Sequence, residues 1–231
     1  MYLVTYRPLC GTPFGLHAIA RYGLPPFIDS SCRREPDFQS KFPTITALCR
    51  AGKFAPRLEV DDRVAYITAG SWYLVAILRV TERLNSHEEA AEWFRFRGLP
   101  LPSNIMVDGN PHQPLERTAG LPPGVPSIGV WNASYKERAR AHGVVLVCEA
   151  PHLELHHPPQ ITREDWSRWI GKVPATQNPK NRPELWEHLW AATSRNSPAS
   201  DPPGLPRSAG SGSGRATISS GSTGTSRRRG C

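Results

Sequence analysis

KFPTITALCRAGKFAPRLEVDDRVAYITAGSWYLVAILRV, residues 41–80, contains the two strongest strand signatures in this chain. Residues 63–68 and 72–80 are rich in β-branched and aromatic side chains, and a short Ala-Gly-Ser step separates them. This pattern predicts a β-hairpin. Asp61 and Asp62 stand directly before its first strand, where short acidic side chains set an entry turn by bonding their own backbone. The hairpin is the expected centre of an α+β fold, a small, partly closed β-barrel with short flanking helices.

Outward from the hairpin the signals are more local. Residues 2–6 read as a first strand, 11–23 and Pro25-Pro26 as loop, and 44–50 as either a short helix or a strand. Residues 86–98 carry the clearest helix pattern. Ser86 is a good N-cap, Glu89 stands three residues on, Ala90, Trp93, Phe94 and Arg97 follow at helical spacing, and Gly98 can end the run. The Pro- and Gly-rich stretch after it excludes long elements and predicts an extended excursion. A second helix is expected at 132–142 with Asn132 as its cap. A buried strand is expected at 144–149, with another at 153–156. Thr162 and Asp165 mark a helix over 162–170, and Pro183 is suited to the first turn of a helix carrying Leu185, Trp186, Leu189 and Trp190.

The chain has 231 residues, with 24 prolines, 19 glycines and a formal net charge of +8. Residues 194–231 hold six arginines against one acid, Asp201, a surplus of five that leaves +3 for the rest. Pro, Ser, Gly, Thr and Arg dominate this tail. It is too poor in apolar residues to offset the entropy cost of ordering, so the reading is one domain over 1–193 and a disordered tail over 194–231. Arg227, Arg228 and Arg229 would add non-specific phosphate affinity, or the tail is a plain solubilising extension. Five cysteines without a CxxC pair give a reduced pattern, with Cys49 and Cys148 read as buried small hydrophobes. The amino terminus lacks the apolar core of a signal peptide, and no run reaches bilayer length, so the expected compartment is the cytoplasm, without membrane contact.

The segments TITALCR (44–50) and FAPRLEVDDRVAYIT (54–68) resemble the nucleotide-modification-associated domains. These belong to the wider PUA-like group that includes ASCH, EVE and YTH domains. Asp61-Asp62 stands where Gly-Asp is usual in that group. The resemblance covers residues 25–100 and implies a PUA-like barrel that binds nucleic acid and holds a modified or flipped base in an aromatic-lined pocket.

Candidate site residues follow from that chemistry. Tyr66, Trp72, Tyr73 and Trp131 offer flat faces on which a base can stack, or they pack in the core. Arg33, Arg34, Arg50 and Arg57 would form a phosphate-binding rim, or they pair with Glu35, Asp37 and Glu59. Thr176, Gln177 and Asn178 combine donors and acceptors suited to reading a base edge. Ser103-Asn104 offers the same groups but is better suited to turn formation. His152 and His156 are four apart on a strand-like segment, a poor spacing for zinc, so no metal or other cofactor is expected. No nucleophile elbow, P-loop or dinucleotide turn is present, which favours binding over catalysis. The enzymatic alternative is a metal-dependent nuclease or nucleic-acid-modifying enzyme using Glu59, Asp61 and Asp62.

Overall fold

The computed structural model describes residues 1–31, 33–48, 54–110, 128–174 and 180–194. Its strands are β1 (Tyr2–Tyr6), β2 (Thr44–Thr46), β3 (Arg63–Thr68), β4 (Leu74–Leu84), β5 (Val145–Leu153) and β6 (Lys180–Asn181). They form one mixed sheet in the order β2-β5-β4-β3-β1-β6. β1 runs parallel to β3, and every other pairing is antiparallel. The helices are α1 (Pro13–Tyr22), α2 (His87–Phe96), α3 (Ile128–Ala141), α4 (Arg163–Ile170) and α5 (Trp186–Thr193). None of the described helices is long and apolar enough to cross a membrane.

The β3–β4 hairpin sits at the middle of the sheet, which is why its strands are apolar on both faces. Val64, Tyr66, Ala76, Leu78 and Val80 belong to one cluster, and Ala65, Ile67, Leu74 and Ile77 to another. Period-two alternation sends neighbouring residues to opposite faces. Each fully buried Val, Leu or Ile contributes about 1.5–3 kcal/mol.

The first face is concave. Tyr6 on β1 and Ile45 on β2 share its cluster although three strands separate them in the sheet. Phe38 closes that hollow, edge-on to Tyr6 at 5.7 Å and to Tyr66 at 5.4 Å. Its neighbour Asp37 pairs through its backbone with Thr44 on β2. One short segment therefore reaches from the β2 edge to β1 and β3, which requires a curled sheet. Register irregularities in β4 at 77–79 and 80–82 add local twist and bending.

The opposite face is covered in two places. Near the start of β4, α4 and α5 bury Trp166, Leu185 and Leu189 against Ala65, Ile67 and Ile77. At its far end, Ala90, Ala91 and Phe94 of α2 meet Leu84, Val145 and Val147. α3 packs Tyr135 and Ala139 on Leu48 and Met106.

Local chemistry explains most element ends. Ser86 accepts the Glu89 amide at 3.0 Å, but the Glu89 carboxylate binds the Asn85 amide at 2.7 Å, one residue before the position a reciprocal box would use. Thr162 and Asp165 form the complete box at α4. Pro183 opens a tight turn, Pro183–Leu185, that leads into α5.

Three sequence expectations are corrected and one open alternative is decided. Residues 13–22 form α1, not a loop, with Thr12 capping Gly15 and Gly23 closing the helix in the left-handed region at φ 64°. Asn132 is inside α3 and does not cap it, because the helix already runs from Ile128. The strand expected at 144–149 runs on to Leu153 as β5, and the strand expected at 153–156 does not form, since residues 154–156 belong to no strand. Residues 44–46 resolve the earlier ambiguity as a strand.

Candidate functional site

β1 and β3 run side by side and end together, with Tyr6 opposite Thr68. The chain leaving β1 (Arg7, Pro8, Cys10, Gly11), the hairpin turn leaving β3 (Ala69, Ser71, Tyr73) and Phe27 enclose a cleft of about 170 Å³. Tyr6 joins these parts. Its carbonyl accepts the Ala69 amide at 2.8 Å, and its hydroxyl donates to the Phe27 carbonyl oxygen. The Leu9 and Cys10 amides bind the Ile28 and Pro26 carbonyls at 2.8 and 3.0 Å, so the 7–11 segment and the 26–28 segment form one wall. The hairpin turn is held by the Thr68 hydroxyl, which accepts the Tyr73 amide at 2.9 Å.

Two rings face each other here: Phe27 and Tyr73, centroids 5.2 Å apart and tilted by 60°. They pack on each other, and Phe27 is 2 % exposed, so a flat group can stack only on the open side of Tyr73. Arg7 is exposed and supplies a cation at the edge of the cleft. Cys10 is buried in the wall, and its thiol is pushed up to about 11 by loss of solvation. At neutral pH it is a protonated, weakly polar lining group and not a nucleophile. The volume is below the few hundred Å³ of a drug-sized pocket and suits a single small ring system.

The sequence candidates divide among different places. Tyr73 lines the cleft. Tyr66 does not: it is 1 % exposed, 6.2 Å from Tyr6 and 5.4 Å from Phe38 in the core. Trp72 adopts φ 52° at the hairpin turn, which sends its ring to the opposite face against the Leu74 and Trp166 group. The expected convergence of these rings on one hollow is thus corrected for Tyr66 and Trp72. Adjacent residues on a strand point to opposite faces, and Tyr66 lies too far inside the curl.

The arginine rim is corrected for Arg33 and Arg34. Arg33 and Arg34 are 3 % and 0 % exposed. Arg33 donates to the Ser103 carbonyl at 3.1 Å and the Asn110 carbonyl at 3.3 Å. Arg34, at φ 35°, donates to the Asp29 and Ser31 carbonyls, both at 3.0 Å. A buried guanidinium spreads its donors over backbone oxygens and so cross-links loops. Glu35 accepts the Thr46 amide at 2.8 Å and the Thr46 hydroxyl. Asp37 accepts both the amide and the hydroxyl of Ser103 at 2.8 Å. Asp29, Arg33, Arg34, Glu35 and Asp37 are thus a buried polar knot that ties the loop before β2 to the segment after α2. Asn104 joins it through Thr44, sixty positions away, so Ser103-Asn104 is a long-range cross-link as well as part of a turn.

Arg57 is exposed at the end of the turn Ala55–Arg57. Arg50, Thr176, Gln177, Asn178 and the side chain of Trp131 lie outside the described residues. Arg7 and Phe27 were missed by sequence reasoning. Only their placement on loops beside Pro8, Pro25 and Pro26 could have marked them.

The acidic group has structural partners. Asp62 accepts the Glu59 amide at 3.0 Å, the turn-forming bond expected of it. Asp61, at φ 71°, pairs with Arg79 at 3.2 Å, and Arg79 pairs with Glu149 at 2.7 Å. Arg79 holds the Glu149 carboxyl below the usual range. Glu59 lies 3.8 Å from Arg83. His152 sits on β5 with its Nε2 3.3 Å from the Leu74 carbonyl oxygen, and burial lowers its pKa.

The chain matches no protein-family model, no curated protein and no solved structure.

Proposed function

We propose that this protein is a nucleic-acid recognition module that takes one unstacked base into the cleft, against the open side of Tyr73. Arg7 holds the neighbouring phosphate. The observation that carries this reading is the half-buried Tyr73 ring beside the exposed Arg7 guanidinium, in a hollow sized for one heterocycle. The surplus of three positive charges over residues 1–193 gives modest support to a polyanionic partner, and residues 194–231 add five more. The resemblance of residues 44–68 to modification-associated, PUA-like domains supports the same partner class and places modified bases among the ligands to try. The acids of the nuclease alternative are engaged in a turn and in ion pairs with Arg79 and Arg83, so no observation favours that reading.

The test is anisotropy of labelled single-stranded DNA and RNA, with and without modified bases, on the full chain at fixed salt. Tyr73→Ala weakens binding by about 1–3 kcal/mol, the usual value of one stacked base. Arg7→Gln reduces the slope of log K against log salt by about one phosphate contact. Binding that is equal in wild type and both variants would sink the proposal, because all affinity would then come from non-specific charge.

A further inference from the structure

A second hollow, of about 240 Å³, lies between the start of α2, residues 106–108 and α3. Its wall includes His87, Glu88, Met106, Asp108, Lys136 and Arg140. Independently of the base cleft, we propose that this cavity binds a phosphate group, held by the His87 Nε2–H, the Arg140 guanidinium and Lys136.

The argument starts from His87, which is 2 % exposed. Its Nδ1 accepts the Met106 amide at 3.1 Å, which fixes the ring proton on Nε2. That Nε2–H is buried and meets no acceptor among the described residues. A buried donor without a partner costs about 1–3 kcal/mol, and because His87 stands in the cavity wall, a small turn of its ring would bring the donor to an acceptor held there. The ligand atom facing His87 is therefore an oxygen with a lone pair.

The neighbours choose an anion. Lys136 and Arg140 are four apart on α3, so they share one helix face. Tyr135 and Ala139 on that helix are packed against Leu48 and Met106, which brings the two cations to the cavity wall. Arg140 makes no side-chain hydrogen bond among the described residues, so its planar fork is open to two phosphate oxygens. The cavity also adjoins the amino end of α2, whose dipole favours negative charge.

Two acids share the wall. Asp108 is 95 % exposed at its side chain and already pairs with Lys136 at 2.7 Å. Glu88 is exposed. Both are solvated by water, whereas the His87 donor is not. A phosphate would draw on His87, Arg140 and the ammonium hydrogens of Lys136 left over from Asp108.

The test follows the His87 ring resonances of the full-length protein while inorganic phosphate, and separately a nucleoside 5′-monophosphate, is titrated at constant ionic strength. A saturable shift with Kd of about 1 mM or tighter is expected for at least one of them. Whichever binds more tightly identifies the free ion or the ester as the source. Loss of a charge-assisted bond in Arg140→Gln weakens that binding by about tenfold or more. Arg163→Gln, which alters another exposed arginine, leaves it unchanged. No saturation of the His87 shift with either phosphate, or equal affinity in wild type and Arg140→Gln, would overturn the proposal. Because Tyr73 and Arg7 play no part in this experiment, its result is independent of the fate of the base cleft.

Discussion

The Tyr6 hydroxyl donates to the carbonyl oxygen of Phe27, twenty-one residues away, from a side chain only 1 % exposed. The same residue's carbonyl receives the Ala69 amide, so a single tyrosine at the end of β1 sets the spacing between the two sides of the cleft. Burial, with the charge of Asp29 nearby, raises the Tyr6 pKa well above that of a free phenol, which keeps the proton needed for this bond in place.

Tyr6→Phe removes the bond and leaves the Phe27 carbonyl without that donor. The expected cost is about 1–3 kcal/mol, the penalty for a buried polar group that loses its partner. A lower urea midpoint with unchanged m-value measures it. Retention of wild-type stability would mean that the Phe27 loop is held by its other backbone bonds.

His87 gives the protein a defined acid response. In an unfolded chain a histidine takes up its proton near pH 6.5. In the fold, burial holds His87 down to about 4. The unfolded state therefore binds more protons across that window, and stability falls as pH drops from about 6.5 toward 4, then levels off. A depression of this size corresponds to roughly 3 kcal/mol. Asp29, raised by burial, acts with the opposite sign above the ordinary carboxylate range. The comparison with His87→Gln separates the two. Urea titrations between pH 4 and 7 are expected to show a shallower loss of stability in that variant.

Gly15 is a test of close approach. A Cβ built there would lie 1.7 Å from the Leu9 carbonyl oxygen and 2.7 Å from the Thr12 hydroxyl oxygen. Alanine in a helix is ordinarily better than glycine by about 1 kcal/mol. Here the clash dominates, since backbone cannot move aside, and Gly15→Ala is expected to destabilise by about 3 kcal/mol or more. The displaced turn carries Cys10 and Gly11, so cleft binding weakens too. Thermal unfolding of the variant is the check, and a Tm at or above wild type would contradict the close packing.

The hairpin was legible in the sequence because strands apolar on both faces have few other places to go in a small α+β fold. The boundaries of α4 were legible because Thr162 and Asp165 bond each other across three residues. α1 was not, since Gly11, Gly15 and Gly23 in GTPFGLHAIARYG masked a helix whose real markers are Thr12 as cap, Pro13 at the first position and Gly23 at the end. Arg33 and Arg34 were misread because charge normally marks surface. Their burial depends on carbonyls supplied by residues 29–31 and 103–110, and the latter contact spans some seventy positions of sequence. Of the site, Tyr73 was visible as a ring beside a turn. Arg7 and Phe27 were not, because three separate loops meet only after β1 has docked against β3.

The placement of β1 between β3 and β6 also governs how the chain can be built on a ribosome. Its parallel neighbour emerges about sixty residues later, and its antiparallel neighbour only with Lys180–Asn181. Until then one side of this strand presents bare amides and carbonyls. During synthesis the nascent polypeptide thus carries an open edge, a target for chaperones and for mispairing with other chains.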